Sequence, residues 1–170
     1  VAGFGGQVLF MNVETWTLKG DVKLAAVRGQ GISSLAFSPD GRRVACGCVF
    51  IDPQVKILDV EKCTTERVLS GHTGFVAGLA ISPDGKTLAS ASADQTVKIW
   101  DVETWTERGT HLGHTDEVWS VDFSPDGAKV VSSGKDKRIE VWSATNFAER
   151  DASTLVVARR IPHAPGAMVQ

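Results

Sequence analysis

The 170-residue sequence predicts an all-β fold made of repeated units, each of four antiparallel strands. Three observations carry that prediction. The tetrapeptide Ser-Pro-Asp-Gly recurs at Ser38, Ser82 and Ser124, at spacings of 44 and 42 residues, and a fixed period of this length marks a repeat architecture before any local pattern is considered. The stretch "GHTGFVAGLAISPDGKTLASASADQTVKIWD", Gly71 to Asp101, is answered from Gly113 by "GHTDEVWSVDFSPDGAKVVSSGKDKRIEVWS". Each unit also divides into short apolar segments separated by turn residues, the pattern of consecutive antiparallel strands.

The elements follow in chain order. "NVETWT" at Asn12–Thr17 matches "DVETWT" at Asp101–Thr106, an offset of 89, two periods plus a few residues. The sequence therefore begins partway through one unit. The first complete unit has a longer period because Val49 and Phe50 form a loop insertion relative to the second. The opening segment of each unit places apolar residues at Ile32, Leu35 and Phe37, at Val76, Leu79 and Ile81, and at Val118, Val121 and Phe123. A strand alternates with period two, so the step of three predicts a β-bulge near the start of each of these strands.

Ser-Pro-Asp-Gly then supplies a tight turn. The next segment, "TLASAS" or "KVVSSG", is rich in small residues, which predicts a strand approached closely from both faces. The third, "TVKIWD" or "RIEVWS", alternates, with Val97 and Ile99 on one side and Lys98 and Trp100 on the other. The fourth, "TERVLS" or "TERGTHL", is more polar and reads as a half-exposed outer edge.

Composition bounds the function. A formal charge of −2 gives no reason to expect nucleic acid or an anionic membrane as partner. With no long apolar run and no basic-then-apolar segment after Val1, the expectation is a cytoplasmic protein. Cys46, Cys48 and Cys63 are odd in number and confined to one unit, so they read as free thiols and not as a disulfide framework or zinc site.

Gly71-His72, Gly113-His114 and Trp100-Asp101, set in units of this length, resemble the WD-repeat β-propellers. The resemblance spans about residues 1–157 and implies a partial blade over 1–26 and complete blades over 27–69, 70–112 and 113–157. Residues 158–170 are then a tail or the start of a further blade. Three complete blades and fragments predict an open arc, since propellers close with about four to eight blades. The missing blades of the same propeller are accordingly expected neighbours, and the sequence looks like a piece of a longer protein.

The resemblance further implies a buried tetrad of His, Ser, Asp and Trp in each well-formed blade. His72, Ser90, Asp94 and Trp100 fill these positions in the second unit, and His114, Ser132, Asp136 and Trp142 in the third, where Ser143 replaces the terminal Asp. The first unit departs, with Arg28, Cys46 and Leu58 at the His, Ser and Trp positions and only Asp52 retained. The leading fragment has Val1, Gly5 and Met11 at the Ser, Asp and Trp positions.

A His-Ser-Asp cluster also invites a hydrolase reading. A triad needs an exposed nucleophile with oxyanion donors, whereas these residues recur in successive blades on crowded strands, where satisfying buried polar atoms is the simpler role. No catalytic residue is assigned. His111 and His114 lie three apart, but His111 is expected to have no carboxylate or thiol placed to join it, so no metal and no cofactor is expected. Gly3, Gly5 and Gly6 lack the Lys and following helix of a phosphate loop, and Arg159-Arg160 is too short for a nucleic-acid footprint.

Trp119 is the leading functional candidate. Beyond the inferred bulge, Glu117 and Trp119 fall on one side of the strand, and Phe75 and Ala77, then Gly31 and Ser33, are their counterparts. In the family these positions, with Ala93 and Lys135 in the turn before the third strand, rim the top face where protein partners dock. The competing reading packs Trp119 against a neighbouring blade. The resemblance thus implies a non-catalytic scaffold for protein–protein interaction, its partner unidentified. The alternative is a regulatory or sensor domain of a larger signalling enzyme such as a bacterial protein kinase, and an enzyme using the central channel is the least supported.

Overall fold

The computed structural model describes residues 7–23, 31–49, 53–145 and 150–157, the last segment as backbone. Among the described residues the chain forms strands and turns, with no helix. β1 (Gln7–Met11) and β2 (Leu18–Lys23) pair as a two-stranded sheet. β3 (Ile32–Phe37), β4 (Arg43–Cys48), β5 (Val55–Asp59) and β6 (Thr64–Leu69) form the first four-stranded sheet. β7 (Val76–Ile81), β8 (Thr87–Ser92), β9 (Val97–Asp101) and β10 (Glu107–His111) form the second. β11 (Val118–Phe123), β12 (Lys129–Gly134), β13 (Arg138–Ser143) and β14 (Arg150–Val157) form the third.

Within each sheet the strands pair antiparallel in chain order. β7 lies against β3 on one side and β11 on the other, so the first strands of the units stand side by side and each sheet radiates from them. The arrangement is an open set of propeller blades, as the repeat pattern predicts.

Local chemistry explains the register. The expected bulge is present in all three inner strands: Val76 pairs with Ser92 and Gly78 with Ala91, leaving Ala77 extra, and Ser33 and Trp119 hold the same place in β3 and β11. The Ser-Pro-Asp-Gly turns are alike in detail. Gly41, Gly85 and Gly127 each donate to the carbonyl of the Ser three residues earlier at 2.8 Å, with φ between +68° and +73°. Glycine enters this left-handed region without the steric penalty of a Cβ. Ser38, Ser82 and Ser124 donate to the Asp of their own turn at 2.5–2.6 Å, so the turn is closed by side chains as well as backbone.

The third strands explain how the sheets stack. On β9, Val97 and Ile99 pack toward the third sheet with Val118, Val121 and Trp142, while Trp100 packs toward the first with Val55, Ile57 and Leu69. Both faces are therefore buried, and all six residues of β8 are buried between the two neighbouring sheets. β10 keeps Glu107 and Arg108 exposed, in agreement with an outer edge. Phe50 of the proposed insertion lies outside the described residues.

Ile99, fully buried between two sheets, tests this packing. Ile99→Ala should lower the unfolding free energy by about 2–5 kcal/mol, whereas Val68→Ala, on an exposed position of the outer strand β6, should change it by no more than about 0.5 kcal/mol. Urea denaturation followed by tryptophan fluorescence measures both.

Candidate functional site

In the second blade, the structure brings His72, Ser90, Asp94 and Trp100 into one hydrogen-bonded chain. The indole Nε1–H of Trp100 donates to Ser90 Oγ at 2.8 Å, and Ser90 Oγ lies 2.8 Å from His72 Nε2. His72 Nδ1 is 2.7 Å from Asp94 Oδ2. A neutral imidazole with its proton on Nδ1 satisfies the whole run: the carboxylate accepts from Nδ1–H, and Nε2 accepts the serine hydroxyl proton. Asp94 also accepts from the backbone N–H of Thr73 at 3.0 Å and from Thr96 Oγ1 at 2.6 Å. It thereby ties the loop before β7 to the turn between β8 and β9.

Burial opposes the charge on Asp94, but its hydrogen bonds from His72 and Thr96 outweigh that effect and hold the carboxyl far below the usual carboxylate range. The third blade repeats most of this set. His114 Nδ1 lies 2.9 Å from Asp136 Oδ2, and His114 Nε2 lies 2.9 Å from Ser132 Oγ. Trp142 is fully buried and stacks face to face on His111, ring centroids 4.5 Å apart. In the first blade Cys46 and Leu58 are both fully buried among Val8, Phe10, Val22 and Val44, so apolar packing holds the positions that Ser and Trp hold elsewhere. Burial pushes the Cys46 thiol up to about 12. Arg28, Asp52, Val1 and Gly5 lie outside the described residues.

The distances from Ser90 to His72 to Asp94 are those a hydrolase triad would need, yet the environment is different. Ser90 is fully buried and its oxygen already accepts from Trp100. Nucleophilic attack requires a hydroxyl that substrate can reach.

One expectation is corrected. His111 does have a carboxylate placed to join it: Glu140 Oε2 on β13 lies 2.7 Å from His111 Nε2, and both side chains are about 95% buried, with relative exposures of 5% and 6%. The pair bridges β10 of the second sheet and β13 of the third. Gly113 makes room for it, since a Cβ there would come within 1.7 Å of Glu140 Oε2. No group of three or more His, Cys, Asp or Glu side chains converges as a metal site among the described residues.

At the top of the blades a second set of residues gathers around the bulges. The N–H of Ala93 donates to the carbonyl of Phe75 at 3.0 Å, and that of Lys135 to the carbonyl of Glu117 at 2.8 Å. Each bulge is thus clamped to the turn before the third strand. Trp119 is 52% exposed, and its Nε1–H donates to Glu117 Oε2 at 3.2 Å. Glu117 also accepts from Lys135 Nζ at 3.3 Å, and Lys135 lies 3.7 Å from Asp116. Phe75 and Ala93 are half-buried. The structure therefore joins Glu117, Trp119 and Lys135 directly, and sets Phe75 with Ala93 one blade away.

Three successive matches to the WD domain, G-beta repeat, model cover residues 21–59, 63–101 and 105–143, more than two thirds of the chain. The chain belongs to the WD-repeat family. Each matched repeat begins in an outer strand or the turn just before one and ends with the third strand of the next sheet, so the sequence repeat and the blade are out of phase by one strand. WD repeat-containing protein SL1-17 of Schistosoma mansoni is 37% identical over 90 residues, covering 53% of this chain and 28% of that protein. Small ribosomal subunit protein RACK1y of Oryza sativa subsp. japonica is 38% identical over 81 residues, 48% of this chain and 24% of that protein. Guanine nucleotide-binding protein subunit beta-5b of Danio rerio is 38% identical over 66 residues, 39% of this chain and 16% of that protein. The matches span between 16% and 28% of the length of these relatives. WD-repeat proteins generally bind protein partners and are generally non-catalytic.

Two outcomes are expected at the buried polar sites. Because the folded carboxyl of Asp94 is held low, its stabilising contribution is present above the ordinary carboxylate range and is lost as pH falls from there toward the folded value. Thermal melts from neutral to acidic pH should show a shallower acid slope for Asp94→Asn than for the unmodified chain. For the blade-to-blade pair, His111→Ala leaves the buried Glu140 carboxyl group without this hydrogen bond and should cost about 1–3 kcal/mol. The double variant His111→Leu with Glu140→Leu should recover much of that loss in urea denaturation.

Proposed function

We propose that this chain is a non-catalytic docking scaffold whose working surface is the top rim formed by Phe75, Ala93, Glu117, Trp119 and Lys135. One observation carries the reading: Trp119, a large apolar side chain, is half-exposed and held in a fixed orientation by its hydrogen bond to Glu117. A pre-ordered aromatic loses little side-chain freedom on binding, which is why tryptophan is enriched among interface residues of high energetic weight. The Lys135 contacts to Asp116 and Glu117 surround it with a polar rim, the arrangement in which an apolar anchor is flanked by hydratable groups. The buried tetrads serve this surface by fixing the loops that carry it, since Asp94 and Asp136 each bind the backbone of the loop before the inner strand.

The test uses the protein that co-purifies with the full-length chain. Trp119→Ala and Glu117→Lys should each weaken binding, Trp119→Ala by about 2 kcal/mol, with melting temperature nearly unchanged. Arg108→Glu, on the exposed outer strand, should leave affinity as it was. Equal losses at Trp119 and Arg108 would move the docking surface elsewhere, and a destabilised Trp119→Ala would return that residue to blade packing.

A further inference from the structure

Residues 112–117 join β10 of the second sheet to β11 of the third, and residues 70–75 make the same connection between β6 and β7. Two anchors are common to both loops. The N–H of Thr73 donates to Asp94 Oδ2 at 3.0 Å, and that of Thr115 to Asp136 Oδ2 at 3.1 Å. At the far end the carbonyls of Phe75 and Glu117 accept from Ala93 and Lys135.

A third anchor exists in one loop only. Residues 112–117 start from His111, whose imidazole lies 2.7 Å from Glu140 on the third sheet. The earlier loop starts from Leu69, and Lys98 stands where Glu140 would be. Leu69 packs in the apolar cluster around Trp100, while Lys98 turns to Glu107 and Thr110 of its own sheet. Apolar contact is non-directional, whereas a hydrogen bond fixes distance and angle. Glu140 Oε1 has no hydrogen-bond partner among the described residues, so a loop movement that drew His111 away would leave the buried carboxyl group unsatisfied. Trp142 holds the imidazole from its face, the two rings 7° from parallel. The loop backbone rests on this pair. A Cβ on Gly113 would overlap Glu140 Oε2 and come within 2.5 Å of His111 Nε2, while one on Gly71 would meet its nearest neighbour at 3.4 Å.

We propose that His111 and Glu140 are positioning residues for the loop over residues 112–117. They pin its first end to the sheet that receives its last, so both ends share one frame of reference. The consequence for binding rests on the docking rim proposed above, since this loop delivers Glu117 and, just beyond it, Trp119.

Amide hydrogen exchange followed by NMR on the full-length chain separates this role from general stabilisation. The variant His111→Leu with Glu140→Leu keeps the space filled by apolar groups. Exchange at Thr115 and Lys135 should rise about tenfold in it, while Thr73 and Ala93, their counterparts one blade earlier, keep their rates. Gly113→Ala, which forces the loop backbone off the pair, should give the same pattern. Ile99→Val lowers stability without touching the pair and should not single out the third-blade loop. Unchanged exchange at Thr115 and Lys135 in the Leu/Leu variant would overturn the proposal, and so would an equal rise at Thr73 and Ala93. The same variant should bind the co-purifying protein more weakly. Faster exchange in the loop with unaltered affinity would uphold the positioning role and overturn the docking rim instead.

Discussion

The structure depends on the packing of one sheet against the next through the third strand. A four-stranded sheet of five- or six-residue strands buries too little by itself to be stable, and three or more strands need a covered face. Here the second sheet uses both faces, so Val97 and Ile99 serve the neighbour on one side while Trp100 serves the neighbour on the other. The small residues of β8 follow from the same constraint, because a strand packed on both faces has no room for bulk. Stability in such an array is close to a sum of nearest-neighbour terms, which lets one blade depart from the pattern as long as its interfaces remain filled.

The first blade is that departure. Cys46 and Leu58 stand where the second blade has Ser90 and Trp100, and the hydrogen-bonded chain is replaced by apolar contact. Both solutions bury the position completely, but they differ in what else they fix. A serine that accepts from an indole and approaches an imidazole sets the histidine, the aspartate and hence the loop above them. Apolar packing fills the same volume without orienting a loop. The second and third blades, which keep the polar chain, are also the ones whose top loops carry Phe75, Glu117 and Trp119.

Buried polar groups reach across blades as well as within them. His111 and Glu140 are 29 residues apart and on different sheets, yet each supplies the other's hydrogen bond in a space from which water is largely excluded. Such a pair adds little net stability over an apolar filling but penalises any arrangement that separates the partners. It therefore acts on the angle between two sheets, while the tetrads act on loops within one.

The sequence by itself determined the period, the all-β class and the bulge in each inner strand, because these rest on short-range spacing and on turn chemistry that glycine, proline and aspartate dictate locally; the grouping of His72, Ser90, Asp94 and Trp100 followed from the resemblance to the WD-repeat propellers. It also marked Trp119, through the step of three that places it on a bulge. What it left undecided depends on which surfaces meet. Glu140 follows an ordinary strand alternation and has no local mark of its partner, so its pairing with His111 was decided only when two sheets came together. Trp142, placed in a tetrad by position, lies against His111 because that imidazole arrives from the preceding blade.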